Sequence, residues 1–285
     1  MISLNELNIT IIGLGLMGGS LAGALHGKCR QVCGIDRNPN TIDIALQKNI
    51  LDKGFTEINL EIIHADLIIL ATPVKSIIHY LGLLAEMTEL KCVVMDLGST
   101  KSQIVEAMQK LPENLDPIGG HPMCGKEKAG IAYADPDLFR GEKFFLTPLE
   151  RTTETAKEIS GLIVNAIGAI PIQITPDQHD LTASSISHLP HVVACCLINV
   201  VQKQSLKNSQ IWNMAAGGLR DTSRLAGSDP EMLFDMLSTN QEYVTAALDD
   251  FVTNLARFRA ALNNNEMELR EIIQAAHNAR KEHYS

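Results

Sequence analysis

The sequence contains no run of lysines and arginines, and its formal net charge is −9. A protein that grips duplex nucleic acid needs a basic face, so nucleic acid is excluded as the main partner. Low-complexity stretches are absent, and charged residues make up 20% of the chain against 45% hydrophobic ones. That balance excludes disorder and supplies a sizeable core, enough at this length for two domains. None of the six cysteines, Cys29, Cys33, Cys92, Cys124, Cys195 and Cys196, belongs to a C-x-x-C pair. Four lie in or beside apolar stretches, where a thiol packs as a small hydrophobe, and a reduced cytosolic setting is expected. Residues 1–8 lack the charged-then-apolar order of a secretory leader, and no apolar run reaches membrane-spanning length, so no membrane partner is expected.

What is present is an alternation of strands and helices. Apolar strands are read at 8–13, 31–36, 66–71 and 92–96, with helices at 16–26, 42–48, 74–87 and 102–111. Such alternation predicts an α/β fold with a parallel sheet covered on both faces. Lys143–Thr147 and Ala169–Ile174 read as further strands around a helix near 155–167. After Pro176 strand-like runs cease and helical periodicity takes over. Ser228-Asp229-Pro230 opens a helix whose apolar face recurs from Leu233 to Leu262, longer than globular helices usually run, and Asn263-Asn264-Asn265 ends it. The expected domains are 1–175 and 176–285. The ligand belongs at the carboxyl ends of the strands, where an open parallel sheet leaves a crevice.

Gly13-Leu14-Gly15-Leu16-Met17-Gly18 fits G-x-G-x-x-G, directly after a strand and opening a helix, the context that gives the motif meaning. Gly13 makes the tight turn, Gly15 lets the backbone approach a diphosphate, and Gly18 allows close helix–strand packing. The diphosphate then sits on the helix N-terminus. Asp36, ending the second strand, can accept from ribose hydroxyls and would repel a ribose phosphate, which favours NAD over NADP. Arg37 beside it leaves NADP open. Thr72-Pro73, ending the third strand, completes the expected cofactor contacts.

Four further segments carry chemistry. They are Asp96-Leu97-Gly98-Ser99-Thr100-Lys101, Gly119-Gly120-His121-Pro122-Met123-Cys124-Gly125, Ser187-His188-Leu189-Pro190-His191 and Gly217-Gly218-Leu219-Arg220-Asp221-Thr222-Ser223-Arg224. His121, read in a loop after a strand at 116–119, suits a general base, with Ser99 orienting it through a hydrogen bond. The bland alternative is a histidine bonded to backbone. Pro190 is read as opening a helix, which would leave Ser187, His188 and His191 around its N-terminus as a carboxylate site. The same histidines with His179 offer a metal alternative, but no H-E-x-x-H or cysteine spacing supports it and none is expected. Arg220 and Arg224 would share one helix face and grip a substrate with more than one carboxylate, unless Asp221 and other acids simply pair with them at the surface.

In this order, GLGLMGGSLA, ILATPV, DLGSTK, GGHPMCG, SHLPH and GGLRDTSR resemble the prephenate/arogenate dehydrogenase family over nearly the whole chain. The resemblance implies a Rossmann-like doubly wound N-terminal domain and an all-α C-terminal domain that forms a homodimer. It implies NAD-linked oxidative decarboxylation of prephenate or arogenate, giving 4-hydroxyphenylpyruvate or tyrosine. His121 matches the family histidine that draws off the ring-hydroxyl proton, and Ser99 the serine that steadies it. His191, Arg220 and Arg224 match positions that hold substrate carboxylates, with Ser187 and His188 lining the pocket. At Lys126-Glu127 the chain departs from the family pattern, so the choice between prephenate and arogenate stays open. The rivals are a β-hydroxyacid dehydrogenase, whose second-domain G-x-x-x-G-x-x-x-K context is missing here, and a non-catalytic NAD-binding sensor, which would not need His121, Ser99 and two arginines.

Overall fold

The apolar runs near the N-terminus become buried parallel strands because the helices between them cover both faces of one sheet. The structure is a computed structural model that describes residues 2–59, 62, 64–126 and 128–284. Its strands are β1 (Asn8–Ile12), β2 (Gln31–Ile35), β3 (Lys53–Phe55), β4 (Leu67–Leu70), β5 (Cys92–Asp96), β6 (Leu115–Pro122), β7 (Lys143–Pro148) and β8 (Ile170–Gln173). They form one sheet in the order β3-β2-β1-β4-β5-β6-β7-β8, parallel throughout except where β7 runs antiparallel to β6. The helices α1 (Leu16–Leu25), α2 (Pro39–Gln47), α3 (Val74–Ala85), α4 (Ser102–Gln109) and α5 (Glu154–Ala166) supply the layers. Strand alternation sorts the core between them. Ile9, Ile11, Leu67 and Ile69 meet Leu21 and Leu25 of α1 and Ile159 and Ile163 of α5. Ile12, Ile68 and Leu70 meet Ile77 and Leu81 of α3 and Ile104 and Met108 of α4.

Local chemistry explains the differences from the sequence reading. Helix α2 begins three residues early because the Asn38 side chain accepts from Asn40 N and Pro39 occupies the first turn. Strand β3 escaped notice because Lys-Gly-Phe has no apolar pattern. Strand β6 runs to Pro122, so His121 lies in the strand, opposite Phe145 of β7, and not in a loop beyond it. Glycine makes this possible, since a Cβ at Gly120 would stand 2.6 Å from Asp96 O.

From Pro176 onward every described element is helical: α6 (Pro176–Ala183), a π turn (Ser184–His188), α7 (Leu189–Ser205), α8 (Gln210–Asn213), α9 (Gly217–Thr222), a 3-10 turn (Arg224–Gly227), α10 (Pro230–Thr239), α11 (Gln241–Asn264) and α12 (Glu266–Tyr284). Pro190 lies in the first turn of α7, as expected, but that helix continues from the π turn and not from a loop. Residues Pro176–Ser205 form one continuous helical rod, and the wider π turn, in which Leu189 N–H reaches back to Ser184 O, absorbs the proline. The rod also corrects the expectation that nothing reaches membrane-spanning length. Its 30 residues and window hydropathy of 1.5 meet that measure, although only 22% of the window is buried here. Polar letters interrupt every apolar run in it, but the average is apolar. The long helix expected from Pro230 is broken at Asn240, whose backbone (φ −130°, ψ 33°) leaves the helical region.

By contact, the chain divides into Met1–Asn240 and Gln241–Ser285. The second unit is α11 with α12, joined by an Arg257–Glu268 ion pair at 2.8 Å. In the first, a buried ion pair sits at the carboxyl edge of the sheet. Lys101 Nζ donates to Asp96 and, at 2.7 Å, to Gly120 O. Asp96 also accepts from Gly98 N at 2.7 Å and Gly120 N at 3.1 Å. Removing one partner leaves a buried charge alone. Asp96→Asn is therefore expected to cost about 3–5 kcal/mol in urea unfolding, and adding Lys101→Met to restore most of it. Equal losses in the single and double variants would contradict this.

Candidate active site

The crevice opens where strand order reverses, between β1 and β4. Gly13 takes φ +92°, and a Cβ there would meet Ala71 O at 2.7 Å. A Cβ on Gly18 would stand 1.8 Å from Gly13 O, so only glycine lets α1 start this close to its strand. At Gly15 a Cβ would meet nothing within 4 Å, because it would project into open space. Leu16 and Met17, half-buried, begin the helix, whose first-turn amides have no internal carbonyl to serve. The Thr72 hydroxyl is buried beside Gly13 without a hydrogen-bond partner, and Pro73 starts α3. Asp36 accepts from Leu14 N at 2.9 Å through one oxygen and from Asn38 N at 2.9 Å through the other. Each oxygen keeps a lone pair for a ribose hydroxyl. Arg37 is exposed. Open space at Gly15, free amides and an orphaned hydroxyl together fit a bound dinucleotide.

On β6, two strands beyond β4, half-buried His121 starts a chain that continues through two buried groups. His121 Nδ1 is 2.8 Å from His179 Nε2, and His179 Nδ1 is 2.8 Å from Asp180 Oδ1. Asp180 also accepts from Lys101 N at 2.7 Å and Ser102 N at 2.8 Å, capping α4 from across the molecule. The His179 ring stands edge-on to Phe145, centroids 5.5 Å apart. Burial pushes the His121 imidazole well below its ordinary value, helped by His179, Lys101 and His188. Burial also lowers His179, although Asp180 resists. Burial works to raise the Asp180 carboxyl, but hydrogen bonds from His179, Ser102 and Lys101 outweigh it and hold it below the usual range. Lys101 is likewise drawn down by burial, against the pull of Asp96.

His188 is fully buried. Asn240 Nδ2 donates to Asp180 O at 2.8 Å and lies 3.1 Å from His188 Nδ1, while His188 Nε2 has no partner. Burial brings His188 down to about 4. Ser99 is half-buried and its backbone neighbours His188, but no hydrogen bond joins it to His121. The expected Ser99–His121 bond is replaced by the His179 contact, because His179 comes in on α6 and occupies Nδ1. His191 Nδ1–H donates to Ser187 O at 2.8 Å.

The arginines do not share a helix face. Helix α9 ends at Thr222, and Arg224 begins the 3-10 turn, which packs on α7. Arg220 is 82% exposed and pairs with Asp221 at 3.4 Å. Lys126 pairs with Asp135 at 2.8 Å, and Glu127 lies outside the described residues. Sequence reasoning considered His179 only as a metal ligand and passed over Asp180 and Asn240. Both His179 nitrogens are engaged by His121 and Asp180, which leaves none for a metal. The one signal for the missed pair was a histidine–aspartate step in the first turns of the helix after the last strand.

Fold and glycine turn define a dinucleotide-binding protein of the doubly wound class. Two family models match in order: prephenate dehydrogenase, nucleotide-binding domain, over residues 21–172, and prephenate dehydrogenase, dimerization domain, over 175–275. The chain is 32% identical to the prephenate dehydrogenase of Bacillus subtilis over 271 residues, 93% of this chain and 73% of that one. Its structure matches that of the A. aeolicus prephenate dehydrogenase in complex with hydroxyphenyl propionate and NAD+, with TM-score 0.90 and 30% identity over 99% of both chains. It matches Synechocystis arogenate dehydrogenase with TM-score 0.81 and 30% identity, over 97% of this chain and 99% of that one. The chain belongs to the prephenate dehydrogenase family.

The three imidazoles drawn down by their surroundings carry a pH signature. Below about 6.5 the unfolded chain takes up protons that folded His121, His179 and His188 refuse. Unfolding free energy is expected to be full above that pH and to fall as pH drops toward about 4, the range set by His188. Denaturant titrations across the window check this, and a flat profile would contradict it.

Proposed function

We propose that this chain catalyses NAD-linked oxidative decarboxylation of prephenate or arogenate, in tyrosine biosynthesis. The observation that carries the reading is a half-buried imidazole, His121, held neutral by its surroundings, on the strand three places along the sheet from β1 and its glycine turn shaped for a diphosphate. Gly13, Gly15, Leu16, Met17 and Gly18 hold the diphosphate, Thr72 and Pro73 flank it, and Asp36 takes the ribose, with Arg37 at the rim. Bound NAD supplies the acceptor for hydride.

His121 takes the proton of the ring hydroxyl. The electron pair of that O–H bond becomes the second bond of a carbonyl as hydride leaves the same carbon. The ring carboxylate then departs as carbon dioxide, its bonding pair closes the aromatic sextet as the carbonyl π pair returns to oxygen, and that oxygen takes a proton back from His121. Aromatisation supplies the driving force, so the protein mainly positions the ring and holds its anionic groups. His191, Arg220 and Arg224 take the carboxylates, Ser187 and His188 line the pocket, and Ser99 completes the wall beside His188. The buried, unpartnered His188 Nε2 supports a ligand contact there.

The dimerization-domain match and the exposed apolar side chains of the rod, with Ile186 and Val200 each 58% exposed, favour a homodimer. The end of the sheet at Gln173 favours a division into 1–175 and 176–285. Free thiols at Cys29, Cys92, Cys124, Cys195 and Cys196 favour the reducing cytoplasm.

Two kinetic outcomes are expected, read by reduced-cofactor absorbance with prephenate and arogenate in turn. His121→Asn lowers kcat at least about 100-fold with little change in KM, the loss of a general base. Arg224→Ala mainly raises substrate KM, by about tenfold or more. Undiminished turnover in His121→Asn would overturn the assignment. NAD binding with no substrate-dependent reduction would favour a sensor. Separately, Gly15→Val is expected to weaken NAD binding in calorimetry with little loss of stability, while Gly18→Ala costs about 1–3 kcal/mol by overpacking.

A further inference from the structure

We infer that Asp180 and His179 are positioning residues that fix the proton arrangement of His121, so that its Nε2 always presents a lone pair to the substrate hydroxyl. The inference rests on the assignment of His121 as the base and adds the device that keeps it ready.

The argument is one of donors and acceptors. Two backbone amides, Lys101 N and Ser102 N, donate to Asp180 from the start of α4, at 2.7 and 2.8 Å. They hold the carboxylate ionised, and an ionised carboxylate only accepts. His179 must therefore carry its proton on Nδ1, which faces Asp180 Oδ1 at 2.8 Å. A neutral His179 then has a lone pair on Nε2. That atom is 2.8 Å from His121 Nδ1, so His121 must carry its proton on Nδ1 and leave Nε2 bare. The opposite tautomer of His121 would set two lone pairs against each other at that distance.

The surroundings keep both rings neutral. Groups facing the pair are Lys101 and Asp96 below β5, Phe145 on β7, His188 in the π turn and Asp180 on α6 itself. The Lys101 ammonium opposes a standing second proton on the rings, while Asp180 waits to stabilise the cation that forms only during turnover. When His121 Nε2 takes the substrate proton, Nδ1–H stays hydrogen-bonded to His179. The new positive charge then faces a chain ending in a carboxylate, as buried acid–histidine pairs provide elsewhere. Asp180 cannot turn away, because both of its oxygens are tied to α4.

The test uses the full chain with 15N-labelled histidines. Long-range proton–nitrogen correlation spectra at neutral pH are expected to show His121 and His179 both protonated on Nδ1 alone, assigned by their loss in His121→Asn and His179→Gln. A protonated Nε2 on His121 would overturn the relay, even where His121→Asn is inactive and the base assignment stands. Kinetics give a second readout. His179→Leu is expected to lower kcat at least about tenfold, with KM for both substrates changed less than about threefold. His179→Gln, whose side-chain oxygen can accept the Nδ1 proton, is expected to recover part of that loss. An unchanged kcat in His179→Leu, or glutamine no better than leucine, would overturn it.

Discussion

The Asp180 carboxylate is the point on which the rest of the site hangs. It caps the start of α4, which follows the segment carrying Ser99, Thr100 and Lys101, and it anchors His179. Through its backbone carbonyl it also receives Asn240, whose side-chain nitrogen lies against His188. A helix start leaves amides in need of acceptors, and a carboxylate in the interior needs donors. Each requirement is met by the other, across 78 residues of sequence between Ser102 and Asp180. Asp235 serves α3 in the same way, accepting from Lys75 N at 3.2 Å.

This arrangement explains how a sheet domain and a helical segment make one site. The sheet supplies the glycine turn, the Thr72 hydroxyl and His121 at a single edge. The rod from Pro176 to Ser205 lays His179, Asp180 and His188 along that edge. A π turn sits where the rod passes the site, and it accommodates Pro190 without ending the helix. The buried Asp96–Lys101 pair lies between β5, β6 and α4 and fixes Gly120, the residue before His121, by two hydrogen bonds.

Much of this was legible in the sequence. Strand–helix alternation set the sheet, and the glycine motif set the cofactor end, because both depend on local pattern. The segment GGHP marked His121, the proposed base. What local pattern could not show was pairing between distant residues. Ser99 looked like the partner of His121, yet α6 delivers His179 to Nδ1, a choice made by tertiary packing. Arg220 and Arg224 counted as helical neighbours by spacing, but the helix stops at Thr222. Asn240 breaks a helix whose apolar period runs straight through it, because its side chain serves His188 and Asp180.

The central claim is that one crevice brings a hydride acceptor and the His121 imidazole to opposite sides of the same ring carbon. A crystal structure of the protein with NAD and a hydroxyphenyl substrate analogue tests it most directly. The account requires His121 Nε2 within about 3 Å of the analogue's ring hydroxyl, with the nicotinamide stacked on the carbon that bears it. A nicotinamide held by the glycine turn but separated from His121 by more than the width of the ring would contradict it.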